Sequence, residues 1–91
     1  MTPAQCRAAR ALVDMTQPQL ANAAELGLST VYDFEKERRA VSTEAISAIR
    51  VALEAAGVEF IAENGGGAGV RLRKPAQPAI PLEDLNASND E

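Results

Sequence analysis

The stretch TQPQLANAAELGLSTVYDFE, residues 16–35, determines which fold the sequence predicts. Thr16 is followed three residues later by Gln19, a spacing that is typical of a capping box at the start of a helix. A second helix follows within a few residues and carries Val31 and Phe34 on its inner side. The stretch therefore predicts two short helices joined by a tight turn, which is a helix-turn-helix motif.

A further helix is predicted on each side of this motif. The first has Thr2 as its cap and Pro3 at its first position, where a missing N–H costs nothing. Its apolar side comprises Cys6, Ala9, Leu12 and Val13. The fourth helix has Ser42 as its cap and stops before Gly57, a residue suited to the position just past a helix end. Its apolar side comprises Ile46, Ile49, Leu53 and Ala56.

The apolar period changes after the fourth helix. Val58 and Phe60 in one segment, and Val70 and Leu72 in another, alternate with polar residues as they do in strands. The connection, residues 64–67, reads Asn-Gly-Gly-Gly and is suited to a hairpin. We therefore expect a helical domain over residues 1–56 and a β-hairpin over residues 57–74.

Charge is distributed unevenly along the chain. Nine Lys and Arg residues against thirteen Asp and Glu residues give a net charge of −4, which is unusual for a protein that binds phosphates. Four of the acids lie in residues 75–91, whose three prolines and small polar residues predict a disordered acidic tail. Residues 1–74 hold nine cations and nine acids, so cations gathered on one side of the fold remain able to bind DNA.

Several chemistries have no support in the composition. The chain has no histidine, one cysteine and no ligand spacing typical of a metal site, so we expect neither enzymatic activity nor a cofactor. Cys6 is expected to be a small core residue. No run of about eighteen apolar residues occurs, so no membrane segment is predicted. A single cysteine suits a reducing compartment, which favours the cytoplasm.

One set of residues matches a known family: Arg10, Thr16-Gln17, Leu20-Ala21, Val31 and Phe34-Glu35. With them, residues 4–56 resemble the lambda-repressor-like DNA-binding fold of the Cro/cI group, often called XRE regulators. The resemblance implies a mainly α, four-helix helix-turn-helix domain, here followed by a short C-terminal β-hairpin and a disordered tail. It also implies a structural ion pair between Arg10 and Glu35, and a phosphate contact by Gln17 at the start of the second helix. The hairpin is similar to a C-terminal extension of small bacterial members.

Two positions depart from the family pattern. Glu25 stands where the family usually has a left-handed glycine, at a cost on the order of 1 kcal/mol. Gly27 stands where Ser or Thr usually caps the third helix, and glycine is a weaker cap. A second register would place the turn at Gly27-Leu28, with Ser29 as the cap. We prefer the ungapped register, because the matched apolar residues and Glu35 keep their places in it.

The ungapped register predicts which side chains face the DNA major groove. They are Gly27, Leu28, Ser29, Thr30, Tyr32 and Asp33. None of them is an Arg, Lys, Gln or Asn that forms a bidentate contact with a purine. Leu28 is suited to a thymine methyl group, and Asp33 is suited to cytosine N4. We expect apolar and shape-dependent readout, with phosphate contacts supplying most of the affinity.

Phosphate contacts are expected from cations near the end of the third helix. They are Lys36, Arg38 and Arg39, with Arg7 in support. The alternative interpretation is that these cations belong to an ordinary solvated loop. Three further cations lie on the hairpin, namely Arg71, Arg73 and Lys74. They either contact DNA or pair across the hairpin with Glu59 or Glu63.

The expected function is sequence-specific DNA binding by a dimeric transcriptional regulator, in the first instance a repressor acting on a near-palindromic operator. One module buries little surface on DNA, so two are expected to act together. The hairpin is expected to form the dimer contact, either by pairing of strand 69–73 with its mate or through Val58, Phe60, Val70 and Leu72. Such a protein would be cytoplasmic and nucleoid-associated. The alternative is a protein-binding module on the same scaffold, an anti-activator or an antitoxin, whose partner is a second regulatory protein.

Overall fold

The computed structural model describes residues 1–73, which form four helices followed by a two-stranded antiparallel sheet. The helices are α1 (Pro3–Leu12), α2 (Gln17–Ala24), α3 (Leu28–Lys36) and α4 (Thr43–Ala55), and the strands are β1 (Val58–Ile61) and β2 (Gly69–Leu72). The prediction of a mainly α chain with a C-terminal hairpin is confirmed. The disordered tail predicted for residues 75–91 lies outside the described residues, as does Lys74. Within residues 1–73, no helix is long and apolar enough to cross a membrane.

The helices begin where the sequence places their caps. The Thr16 hydroxyl accepts the N–H of Gln19 at 3.1 Å, and the Gln19 side chain accepts the N–H of Thr16 at 2.9 Å, so the predicted capping box is confirmed. Thr2 forms the same reciprocal box with Gln5 at the start of α1. Ser42 caps α4 as predicted. These local hydrogen bonds satisfy donors that each helix would otherwise leave unpaired.

The turn between α2 and α3 follows the ungapped register. Glu25 takes the left-handed conformation (φ 59°, ψ 43°), and the N–H of Leu26 donates to the Ala21 carbonyl at 2.9 Å. Gly27 is the N-cap of α3 and provides no side-chain hydrogen bond. The second register is wrong, because Ser29 lies inside α3 and does not cap it.

One apolar core is shared by the helices and the hairpin. Its buried members are Cys6, Ala9, Leu20, Ala21, Val31, Phe34, Ile49, Ala52, Leu53 and Val58. Two residues expected on inner faces are instead exposed, Leu12 and Ala56. Leu12 is the last residue of α1, at the edge of its buried stripe, and Ala56 is the C-cap where the chain leaves α4. On α4, Ala45 and Ala52 are buried and complete the inner face instead of Ala56.

The hairpin is fixed at both ends of its ladder. Val58 pairs with Leu72, and Gly57 takes a positive φ (112°) that lets the chain turn from α4 into β1. At the other end, the buried amide of Gln5 donates to the Gly69 carbonyl at 2.9 Å and joins α1 to the sheet. Arg71 pairs with Glu59 across the strands at 3.0 Å. Of the two interpretations given for this cation, DNA contact or pairing across the hairpin, the structure shows the pairing.

Replacing Glu25 by glycine is expected to stabilise the fold. A left-handed conformation is strained for a residue with a Cβ, so Glu25→Gly should raise the free energy of unfolding by roughly 0.5–1 kcal/mol. Urea denaturation measures the change. Ala8→Gly, at an exposed position within α1, is the matched control and should instead lower it by about 1 kcal/mol. Loss of stability in Glu25→Gly would contradict the assigned backbone conformation.

Candidate nucleic-acid interface

A buried ion pair joins α1 to α3. The Arg10 guanidinium donates through Nε to Glu35 Oε2 at 2.7 Å and through Nη2 to Oε1 at 2.8 Å. Glu35 is 1 % exposed, so this carboxylate is removed from water and depends on its protein partners. The bidentate geometry fixes both the distance and the orientation between the two helices.

Two further donors complete the surroundings of the Glu35 carboxylate. The Cys6 thiol donates to Oε2 at 3.1 Å, and the Gln17 amide donates to Oε1 at 2.8 Å. Arg10 also reaches the Met15 carbonyl at 3.1 Å, between α1 and α2. Each oxygen of Glu35 therefore accepts two hydrogen bonds, and the single acid connects α1, α2 and α3.

The protonation of this cluster follows from burial and hydrogen bonding. Burial alone would raise the pKa of Glu35, but the hydrogen bonds from Arg10, Cys6 and Gln17 outweigh it and lower the pKa below the ordinary value of 4.5. Burial raises the pKa of the Cys6 thiol, and its bond to Glu35 raises it further. Glu35 is therefore ionised at neutral pH, whereas Cys6 is protonated and is a donor, not a nucleophile.

Gln17 has a role that sequence reasoning missed. The resemblance implied a phosphate contact, whereas in the structure the side-chain amide donates to buried Glu35. Gln17 is also the first residue of α2, so its backbone N–H belongs to the unpaired donors at that helix start. The ion pair thus positions the N-terminus of α2 through Gln17. Gln17 and Glu35 are 18 residues apart in the chain, so their contact has no local signal in the sequence.

An open groove lies beside the ion pair, between the end of α1, the start of α2 and the end of α3. Its volume is about 620 Å³, and its lining comprises Arg7, Arg10, Ala11, Asp14, Met15, Thr16, Gln17, Pro18, Glu35 and Lys36. We call it the cationic groove, since three cations and two acids line it in a chain of net charge −4. Arg7 donates to the backbone carbonyl of Glu35 and so lies against the last turn of α3.

The outer side of α3 forms a ridge that we define as Leu28, Ser29, Thr30, Tyr32 and Asp33, with Gly27 exposed just before it. Leu28 is 48 % exposed and Tyr32 is 38 % exposed, so both side chains are accessible to a partner. Ser29 is exposed, whereas Thr30 and Asp33 are half-buried. Val31 and Phe34 are buried in the core, as predicted.

The predicted phosphate contacts after α3 have partners within the chain. Arg39 donates through Nε to Asp33 at 2.8 Å, and the Arg38 guanidinium lies 5.9 Å from the centre of the Tyr32 ring. A second left-handed residue, Glu37, ends α3 and turns these cations back toward the helix. Lys36, Arg38 and Arg39 are all exposed. The pairing of Asp33 with Arg39 was not predicted, because it spans a helix end and has no regular spacing.

The four hairpin residues expected at a dimer contact are not equally accessible. Val58 is fully buried in the core of its own chain, so its assignment to a dimer contact is corrected. Phe60 and Val70 are half-buried and pack against the same core, because helices α1 and α4 cover one face of the sheet. Leu72 is 54 % exposed. Alternation of apolar and polar residues identifies the two faces of a strand. It does not show whether the apolar face packs against helices of the same chain or against a partner.

No protein-family model matches the chain, and the search of curated proteins gives no match either. Among the described residues, no group of three or more Cys, Asp or Glu side chains has the arrangement of a metal site. The cationic groove and the α3 ridge are therefore the two surfaces that indicate a function.

Replacing Glu35 by glutamine is expected to destabilise the protein. It removes the counter-charge of Arg10 and weakens the bonds that hold three helices together, so Glu35→Gln should lower the free energy of unfolding by about 3 kcal/mol. The matched control is Glu54→Gln, which breaks the exposed pair between Arg50 and Glu54. Exposed pairs contribute little, so the control should change stability by less than about 0.5 kcal/mol. Equal losses in the two variants would contradict the network.

The pH dependence of stability provides a second readout of the same variant. Because the pKa of Glu35 is lowered on folding, its contribution is present above the unfolded value, near 4.5, and is lost as pH falls through the folded value. Urea denaturation of the wild type from neutral to acidic pH should therefore show a loss of stability below about pH 5 that is smaller in Glu35→Gln. Glu59, whose pKa Arg71 also lowers, is retained in both proteins, so the difference isolates Glu35. Parallel curves would refute the assignment.

Proposed function

We propose that this chain binds duplex DNA as a homodimeric transcriptional regulator, in the first instance a repressor. The observation that supports the proposal is that the α3 ridge and the cationic groove share one helix. The ridge occupies the outer side of α3, and Lys36 at the end of α3 lines the groove. A helix that enters the major groove while its end and its neighbours contact phosphates is the arrangement that DNA readers use.

The cationic groove is suited to a backbone phosphate. Arg7, Arg10 and Lys36 line it, and the N-terminus of α2 adds the backbone N–H of Gln17 and the positive end of a helix dipole. Of the two acids in its lining, Glu35 is already neutralised by Arg10. In the proposed complex, Arg10 and Gln17 keep the groove in shape while Arg7 and Lys36 contact the phosphate.

The alternative is that the same surface binds a protein partner. The exposed apolar side chains of Leu28 and Tyr32 favour it to some extent, since exposed apolar patches are typical of protein interfaces. The two candidates differ in their dependence on salt, because binding to DNA releases condensed counterions and binding to a protein through apolar side chains does not.

Arg38→Ala combined with Arg39→Ala is expected to weaken binding to all DNA sequences alike. Phosphate contacts carry no sequence information, so the loss should be uniform, and the slope of log affinity against log salt should become shallower by about 2. Fluorescence anisotropy with labelled duplexes over a range of salt concentrations measures both quantities. Arg50→Ala, on α4 over the Phe60 ring and outside the groove, is the matched control and should leave the slope unchanged. Binding that is insensitive to salt would favour the protein-binding alternative.

Dimerisation through the hairpin is part of the same proposal. Leu72 is the exposed apolar residue of β2, so Leu72→Glu should shift a dimer toward the monomer, because it would place a charge in an apolar contact. Sedimentation or light scattering at micromolar concentration measures the mass. Val51→Glu, at an exposed apolar position on α4, is the control and should not change the mass. A monomeric wild-type protein would overturn this part of the proposal.

A further inference from the structure

We propose that the α3 ridge discriminates DNA sequences by contact with the C5 methyl groups of pyrimidines in the major groove. This inference rests on the proposed function and names the chemical group that is read. Leu28 makes the contact, and Tyr32 extends the apolar surface one turn further along α3.

The two apolar side chains lie where a base edge would meet the helix. Leu28 and Tyr32 are four residues apart on α3 and therefore lie side by side on one face. They are also the large apolar side chains of the ridge that remain exposed, at 48 % and 38 %. Leu28 is the first residue of α3, and the N-terminal residues of a recognition helix are the ones that meet base edges.

Most polar side chains of the ridge are already bonded or half-buried. Asp33 accepts from Arg39 Nε through Oδ2 at 2.8 Å, so its charge is balanced and part of its acceptor capacity is used within the chain. Thr30 is half-buried, which leaves Ser29 as the exposed polar side chain of residues 28–33. A serine hydroxyl both donates and accepts, so it discriminates poorly between bases. We therefore expect most of the sequence preference to come from apolar contact.

The DNA major groove presents an apolar group that fits this surface. The C5 methyl of thymine is the apolar group that the major groove presents, and 5-methylcytosine presents the same group. Burial of one methyl group is worth about a fourfold change in affinity. Two symmetry-related contacts in a dimer would together change affinity by roughly fifteenfold.

Charge at the end of the ridge favours DNA as its occupant. Lys36 is exposed at the last position of α3, Arg38 lies over the Tyr32 ring, and Arg7 lies against the same end of α3. These cations lie toward the C-terminal end of α3, so they are placed to meet phosphates on that side of a base contacted by Leu28. An apolar patch beside phosphate-binding cations is complementary to a thymine edge within an anionic duplex.

The experiment first selects bound duplexes from a random pool and then alters single methyl groups. The selected duplex is made with thymine or, one position at a time, with deoxyuridine, which lacks only the methyl. We expect the dissociation constant to rise about fourfold at each contacted position and roughly fifteenfold when both half-sites are changed. At the same position, cytosine and 5-methylcytosine are then compared. Higher affinity for the 5-methylcytosine duplex would extend the contact to any 5-methylpyrimidine. Equal affinity for the two duplexes would restrict it to thymine.

A variant assigns the contact to its side chain. Leu28→Ala should bind the thymine and uracil duplexes equally, whereas Val51→Ala, a control on α4, should keep the wild-type ratio. Equal affinity of the wild type for the two duplexes would overturn the inference and leave the proposed function standing. Full discrimination by Leu28→Ala would also overturn it. Failure of the wild-type protein to bind any duplex would overturn the inference and the proposed function together.

Discussion

The ion pair between Arg10 and Glu35 is the interaction on which the described structure depends. A carboxylate at 1 % exposure is tolerated there only because donors surround it. Arg10 supplies two of them, and Cys6 and Gln17 supply the others, so one acid holds α1, α2 and α3 together. The orientation of α3 is therefore set by charge and directed hydrogen bonds as well as by the apolar core, and this is more specific than core packing by itself.

The short turn between α2 and α3 adapts to that arrangement. Because both helices are held, the backbone between them has little freedom, and Glu25 adopts a left-handed conformation despite its side chain. Gly27 begins α3 without a side-chain cap. Both features are locally unfavourable by amounts on the order of 1 kcal/mol, which is small beside a buried charged network. The network thus determines where Leu28 begins the ridge, and a surface that reads base edges requires such a fixed position.

Local features could be predicted from the sequence because they depend on neighbours along the chain. The capping by Thr16 is of this kind and is present. The left-handed conformation of Glu25 is also present, but it was implied by the family resemblance and not by the neighbouring residues. The pairing of Asp33 with Arg39 was not predicted, because those side chains meet only after the backbone turns at the end of α3. Val58 is a second example of a contact that depends on the folded chain. Its strand was predicted correctly, but its side chain was assigned to a dimer contact and is instead buried in the core of its own chain. The proposed function depends on the family resemblance and on the exposed side chains of the ridge.

The net charge of −4 is a poor measure of the field that DNA would meet. In the described chain, Glu35 is buried against Arg10, and the pairs of Asp33 with Arg39 and of Glu59 with Arg71 cancel at short range. A matched pair produces a field that decays faster with distance than that of a single charge, and salt screens it further. A groove with a small excess of cations can therefore attract a phosphate on a protein that is acidic overall. Few such contacts provide little non-specific affinity. In the proposed complex, phosphate contacts supply affinity for any sequence, and apolar contact of the α3 ridge with a base edge supplies the part that depends on the sequence.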